Sequence, residues 1–307
     1  MKNTERVMHA YGRRYHRFLS ILRQTARYLP PRYGYPFAAR LARYFSPHRD
    51  PAICGHVHHI AQQCVAHLSH SPPQVWHSML NHIGVSHLNI FRIAQLDQDW
   101  LAQSVTIHCD FDIKETLKNR GLFLMTYHNH HNFLFTVAIG LLLARRIRTL
   151  AMSPEISPIY SYISDIYQNY FTDCERFYHG GEFLYVTENT SPQSLRAVSK
   201  TLKAGDIVIS LNDIFSPYAE KRTRHFDFLG QKLPCPVGTV ELAIHTGAAM
   251  AAGSIRWLGG ERFELTLFAL PAEQGVDAVM SAYLAGLHRL ITLDAGVWEG
   301  WRLWRLP

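Results

Sequence analysis

Three imidazoles crowd one five-residue stretch, His128-Asn129-His130-His131-Asn132. Histidine is the side chain whose proton comes and goes near neutral pH, and it is also a common metal ligand. Two chemistries therefore suit the cluster, proton transfer and metal binding. Consecutive side chains diverge, so at most two of these rings point one way, and no neighbouring carboxylate completes a ligand set. Cys54, His56, His58, His59 and Cys64 also mix ligand types, but without the paired spacing of a zinc finger. No metal is expected at either place. Asp213 closes a second apolar run, with Asn212 before it, and Arg222 and Arg224 follow in what reads as a polar loop. Their guanidinium groups suit a phosphate or an acidic surface, or simply a solvated loop. No Gly-x-Gly-x-x-Gly, Walker loop or Gly-x-Ser-x-Gly elbow occurs, which removes support for nucleotide-dependent and serine-hydrolase chemistry.

The elements that must position these residues are legible in the apolar periodicity. Tyr11, Tyr15, Phe18, Leu19 and Leu22 recur every three or four residues and predict a helix over 11–28, ended by Pro30-Pro31. Further helices are expected over 36–44, 51–68 and 74–93. Strand patterns begin near Val105. Gly121-Leu-Phe-Leu-Met-Thr-Tyr127 reads as a buried strand that delivers His128 at its carboxyl end, with an apolar helix after it. More strands are expected at 148–152, 183–186, 206–211, 249–255 and 263–267, and helices at 158–170, 191–203, 237–245 and 277–290. This alternation predicts an α/β fold, a mainly parallel or mixed sheet flanked by helices. A helical N-terminal region, 1–104, would pack on a core of 105–307 as one continuous domain. Ligands in such folds sit beyond the carboxyl ends of the strands, and both His128 and Asp213 follow a strand there.

Composition sets the setting. The 307 residues are 47% hydrophobic and 18% charged, ordinary for a globular chain. The longest apolar-rich run, 133–144, stops at Arg145-Arg146, too short to span a bilayer. No secretory signal pattern opens the chain, and the five cysteines are scattered with no CxxC pair, as befits a reducing compartment. A cytoplasmic location is expected, or one peripheral to the inner membrane. The formal net charge is +7, and residues 1–50 hold ten arginines against only Glu5 and Asp50. That arm suits an acidic carrier protein or an anionic membrane surface, unless it is merely a solvated helix face. No nucleic-acid motif accompanies it, and no nucleic acid is expected.

Several segments together resemble a known family. Gly121-Leu-Phe-Leu-Met-Thr-Tyr-His128, Leu202-Lys-Ala-Gly-Asp-Ile-Val-Ile-Ser-Leu-Asn-Asp213 with His225-Phe-Asp-Phe-Leu-Gly230, Pro236-Val-Gly-Thr-Val-Glu-Leu-Ala-Ile-His-Thr-Gly-Ala248 and the closing Trp298-Glu-Gly-Trp-Arg-Leu-Trp-Arg305 follow one another. In that order they resemble the lipid A biosynthesis (late) acyltransferases of the lysophospholipid acyltransferase superfamily. The resemblance covers about 200 residues. It implies an acyltransferase that moves an acyl or peptidyl group from a carrier-protein or coenzyme A thioester to a hydroxyl or amine. The acceptor would be a small molecule or lipid, with no bound cofactor, and the absence of the family's head-group arginine from 150–155 suits a specialised natural-product pathway as well as a lipid one. The resemblance also implies that His128 is the general base.

The family motif is His-x4-Asp/Glu, and here the fifth residue after His128 is Phe133. His130 leads to Phe135 and His131 to Thr136, so no register restores the carboxylate. Three readings stay open. His128 is oriented by another group, namely Asn132, His131 or Asp213; or the site performs thioester hydrolysis or amide formation; or it is a catalytically dead binding scaffold. Asn129, His130, Arg222 and Arg224 are the candidates for substrate contact. The family's arginine after the next strand is missing from Leu150-Ala-Met-Ser-Pro-Glu155.

Overall fold

A strand buried at every position must have both faces covered, and Leu122–Thr126 (β2), four apolar residues and a threonine, is buried throughout. Its alternate side chains enter two different cores: Leu122 and Leu124 one, Phe123 and Met125 the other. The computed structural model describes residues 2–45, 50–152, 164–186, 191–214 and 222–305. Around β2 stand β1 (Val105–Cys109), β3 (Ile147–Met152), β4 (Glu182–Val186), β5 (Ile207–Leu211), β8 (Ala249–Gly259) and β9 (Arg262–Ala269), in the order β1-β9-β8-β2-β5-β3-β4. β8, β2, β5, β3 and β4 run parallel; β9 pairs antiparallel with β8, and β1 parallel with β9. The sheet is therefore mixed and mainly parallel. The protein is an α/β protein with a helical N-terminal region.

That region comprises α1 (Lys2–Tyr28), α2 (Pro31–Phe45), α3 (Pro51–Gln63), α4 (Pro72–Asn89) and α5 (Gln98–Ser104). In α1 the side chains of Tyr15, Phe18, Leu19 and Leu22 are buried at helical spacing; that of Tyr11 lies outside the described residues. Asp50 starts α3 by accepting from the Ala52 amide at 2.8 Å, and Asp97 starts α5 by accepting from Trp100 at 2.9 Å. α6 (Ile113–Asn119), capped in the same way by Asp112, precedes β2, and α7 (Asn132–Leu143) follows it. α8 (Ser164–Glu175), α9 (Ser191–Lys203), α10 (Gly238–His245), α11 (Val276–Leu293) and α12 (Gly300–Leu303) complete the cover. Residues 158–163 of the helix expected over 158–170 lie outside the described residues, as do 153–155 of the stretch that lacks the family's arginine.

One expectation needs correction. The segment read as a polar loop around Arg222 and Arg224 is a β-hairpin, β6 (Thr223–Phe228) and β7 (Gln231–Pro236). Its two-residue turn, Leu229-Gly230, has φ of 49° and 74°, the geometry that suits the twist of a hairpin. A leucine in the left-handed region and two prolines in β7 conceal the pattern in the sequence. Among the described residues no helix is long and apolar enough to cross a membrane.

Candidate active site

β2 and β5 are neighbours, and their last residues, Thr126 and Leu211, are register partners. Two residues beyond each end stand His128 and Asp213, so parallel pairing carries both to the same place. Tyr283 of α11 ties the strand ends together: its hydroxyl donates to the Thr126 carbonyl at 2.6 Å and accepts from the Asn212 amide at 3.3 Å. Asn212 in turn donates its side-chain nitrogen to the Pro236 carbonyl and to Thr239, each at 2.9 Å.

The His128 Nδ1 lies 2.7 Å from Asp213 Oδ1. The Asp213 carboxylate, fully buried, also accepts from the His128 amide and, through Oδ2, from the indole N–H of Trp298 at 2.7 Å. With Nδ1–H given to the carboxylate, Nε2 of His128 is left as a lone-pair acceptor, and the side chain is 29% exposed. Burial pushes the imidazole pKa down, but the Asp213 charge and hydrogen bond, helped by the Glu299 charge, raise it above its ordinary value. Such an arrangement can take a proton from a substrate group and hold it as an imidazolium.

A strap from the chain's end holds the site loop. The His130 amide donates to the Val297 carbonyl at 3.2 Å, the Glu299 amide donates to the His128 carbonyl at 2.6 Å, and Asn129 pairs with Trp298. Trp298, Trp301 and Trp304 are buried against one another and against Phe228. The strap is itself anchored by a second polar chain. Asp294 Oδ1 accepts from Ser78 at 2.6 Å, Asp294 Oδ2 lies 2.7 Å from His82 Nε2, and His82 Nδ1 lies 2.8 Å from His131 Nε2. Burial and the neighbouring His82 hold His131 well below the usual histidine range, so it stays neutral.

The remaining candidates separate. Neither His131 nor Asn132 bonds to His128: His131 turns to His82, and Asn132 opens α7 with its amide on the Asn129 carbonyl. Asn129 is buried and uses its side-chain oxygen to accept from the His131 amide. His130 is buried, its ring stacked with that of His82. Phe133, in the position of the family carboxylate, joins an aromatic cluster with Tyr170, Phe171 and Phe183. Arg222 pairs with Glu241, and Arg224 with Glu241 and Asp277, at 2.9 to 3.0 Å. Both arginines are thus engaged with carboxylates of α10 and α11. In the other histidine cluster, His56 faces the Trp304 carbonyl and Cys54 Sγ lies 3.9 Å from His58.

Tyr283, His82 and Asp294 escaped sequence reasoning, and Trp298 entered it only as part of the closing stretch, without a role at the site. Of the three missed residues His82 left a signal, a polar residue among Met79, Leu80 and Ile83 on the buried side of α4.

The fold and site define an α/β protein with a histidine–carboxylate pair at the carboxyl edge of parallel strands. No protein-family model matches the sequence, and no curated protein matches it.

Proposed function

We propose that the protein is an acyltransferase in which His128 is the general base and Asp213 orients it. The observation that supports this reading is the 2.7 Å contact between His128 Nδ1 and a carboxylate that is itself pinned by Trp298. It supplies, from beyond the end of a neighbouring strand, the partner that the resembled motif carries five residues after its histidine. Asp213 is thus the orienting group favoured here over Asn132 and His131.

The acceptor hydroxyl or amine gives its proton to His128 Nε2 as its heteroatom attacks the thioester carbonyl carbon. The tetrahedral adduct collapses, the carbon–sulfur bond breaks, and the departing thiolate takes the proton back from Nε2. Asp213 remains ionised and stabilises the imidazolium between the two steps. The donor is an acyl or peptidyl thioester of a carrier protein or coenzyme A. Water as the acceptor would make the same pair a thioester hydrolase.

Intact-mass measurement with acyl-carrier-protein and coenzyme A thioesters, over a panel of alcohols and amines, tests the proposal. Wild type should consume thioester and add its mass to an acceptor. His128→Ala should lower the rate by about 100-fold or more, as loss of a general base does. Asp213→Asn should lower it in the same direction. Turnover that survives His128→Ala unchanged would sink the assignment. No turnover with either donor class would favour a binding scaffold.

A further inference from the structure

We infer that the outer face of α2 and its corner with α1 is a docking surface for an anionic lipid bilayer. Of eleven exposed large apolar side chains among the described residues, six fall between positions 28 and 45. They are not scattered. Tyr33, Phe37 and Tyr44, with Arg40, recur at steps of four, three and four, which is one stripe of a helix. Tyr33 is 57% exposed, Phe37 41% and Tyr44 78%, while Gly34, Tyr35, Ala38, Ala39 and Ala42 form the opposite, buried face. That inner face is fixed to α4: the Tyr35 hydroxyl donates to Asn89 at 2.8 Å and Arg43 Nε donates to Asn81 at 2.6 Å. The stripe is therefore held outward by packing on the other side. Tyr28, 67% exposed, and Leu29 extend it onto the end of α1.

The charge that the N-terminal helices themselves bring to the stripe is positive, and the acid felt by α2, Glu261, acts on Tyr35 of its opposite face. Arg27 lies over the Tyr28 ring and Arg32 over the Tyr33 ring, at 5.2 and 4.8 Å. Through residue 89 the only acidic side chains are Glu5 and Asp50, and α4, on which α2 rests, carries histidines but no carboxylate. Tyrosine and phenylalanine rings interleaved with arginines match the boundary between headgroups and acyl chains, where a ring is half apolar and half wet. A second copy of this chain would present the same arginine-rich face to itself. An acidic protein would neutralise the arginines but would also have to supply an apolar groove for Phe37 and Phe45, which a bilayer offers along its whole surface. The surface is separate from the His128 site, and its test needs no turnover.

Flotation of the full-length protein with phosphatidylglycerol-rich vesicles, and with pure phosphatidylcholine vesicles, reads the inference directly. Wild type should float with the anionic vesicles and about tenfold less with the neutral ones. Tyr33→Ser/Phe37→Ser/Tyr44→Ser should lose about tenfold or more in vesicle affinity. Arg32→Gln/Arg40→Gln should lose affinity for anionic vesicles only, and a circular-dichroism melt should show both variants folded. Wild type that does not float, or that floats as well when the stripe is removed, would overturn the docking surface. So would a lipid-free dimer that the stripe variant converts to monomers in sedimentation velocity, or a stripe-dependent complex with acyl carrier protein in place of vesicle binding.

Discussion

A buried carboxylate without a cation beside it needs donors for its charge, and Asp213 has three: the amide and Nδ1 of His128 and the indole of Trp298. Two of the three belong to the residue it orients, so Asp213 fixes both the backbone and the ring of His128. The raised pKa of that ring has a kinetic consequence. A general base works deprotonated, so kcat/KM should fall as pH falls through it, with the acid limb above the ordinary value of about 6.5. Asp213→Asn removes the carboxylate's charge, the larger upward influence, so burial gains weight and the acid limb should move to lower pH while the plateau drops. A pH–rate profile of the two proteins checks this. A limb that stays in place would show that some other group is titrating.

At the scale of elements, the site exists because β2 and β5 are adjacent, in register, and end together. Tyr283 enforces that shared ending from α11, bonding one strand's last carbonyl and the amide just past the other. Its ring stacks on Tyr127 at 4.6 Å, and the Tyr127 hydroxyl returns a bond to the Tyr283 carbonyl. Tyr283→Phe keeps the stack and leaves the buried Asn212 amide and Thr126 carbonyl without this partner. We predict a loss of about 1–3 kcal/mol in urea unfolding. Turnover should fall with it, because His128 and Asp213 lose their common brace. Unchanged stability would mean that the strand ends are held by the sheet ladder alone.

Over the whole molecule, the helical N-terminal region and the C-terminal strap meet beside the site. Ser78 and His82, from the helical N-terminal region, hold Asp294, which leads into the strap that carries Trp298. Burial alone would raise the Asp294 pKa, but His82, Ser78 and the Gly296 amide together outweigh it, and the carboxyl is held well below its usual value. A depressed folded pKa means stability that is complete above the unfolded value, near 3.8, and that is lost as pH falls through the folded one. Asp294→Asn should therefore cost about 1.5–3 kcal/mol at neutral pH. In thermal melts the gap from wild type should narrow below about pH 4. A gap that stays constant down to low pH would show that the carboxylate's charge contributes nothing.

Local pattern and composition determine much of this protein. The apolar run Leu122–Met125 of β2, the helical spacing in α1 and the strand–helix alternation after Val105 each reflect a neighbour-to-neighbour rule, so the α/β class and most elements are legible from the chain. The placement of His128 and Asp213 beyond strand ends is legible in the same way. The β6–β7 hairpin is not, because its turn places leucine where glycine or asparagine is usual and its second strand holds prolines. What only the tertiary structure decided is which strand lies beside which. Nothing local says that β5 pairs with β2, so nothing local chooses Asp213 over Asn132 or His131 as the partner of His128. Trp298 and Asp294 stand 170 and 166 positions from His128 in the chain. They reach its surroundings because α11 turns back across the sheet, a consequence of burying its apolar side against β2 and β8 that no spacing rule expresses.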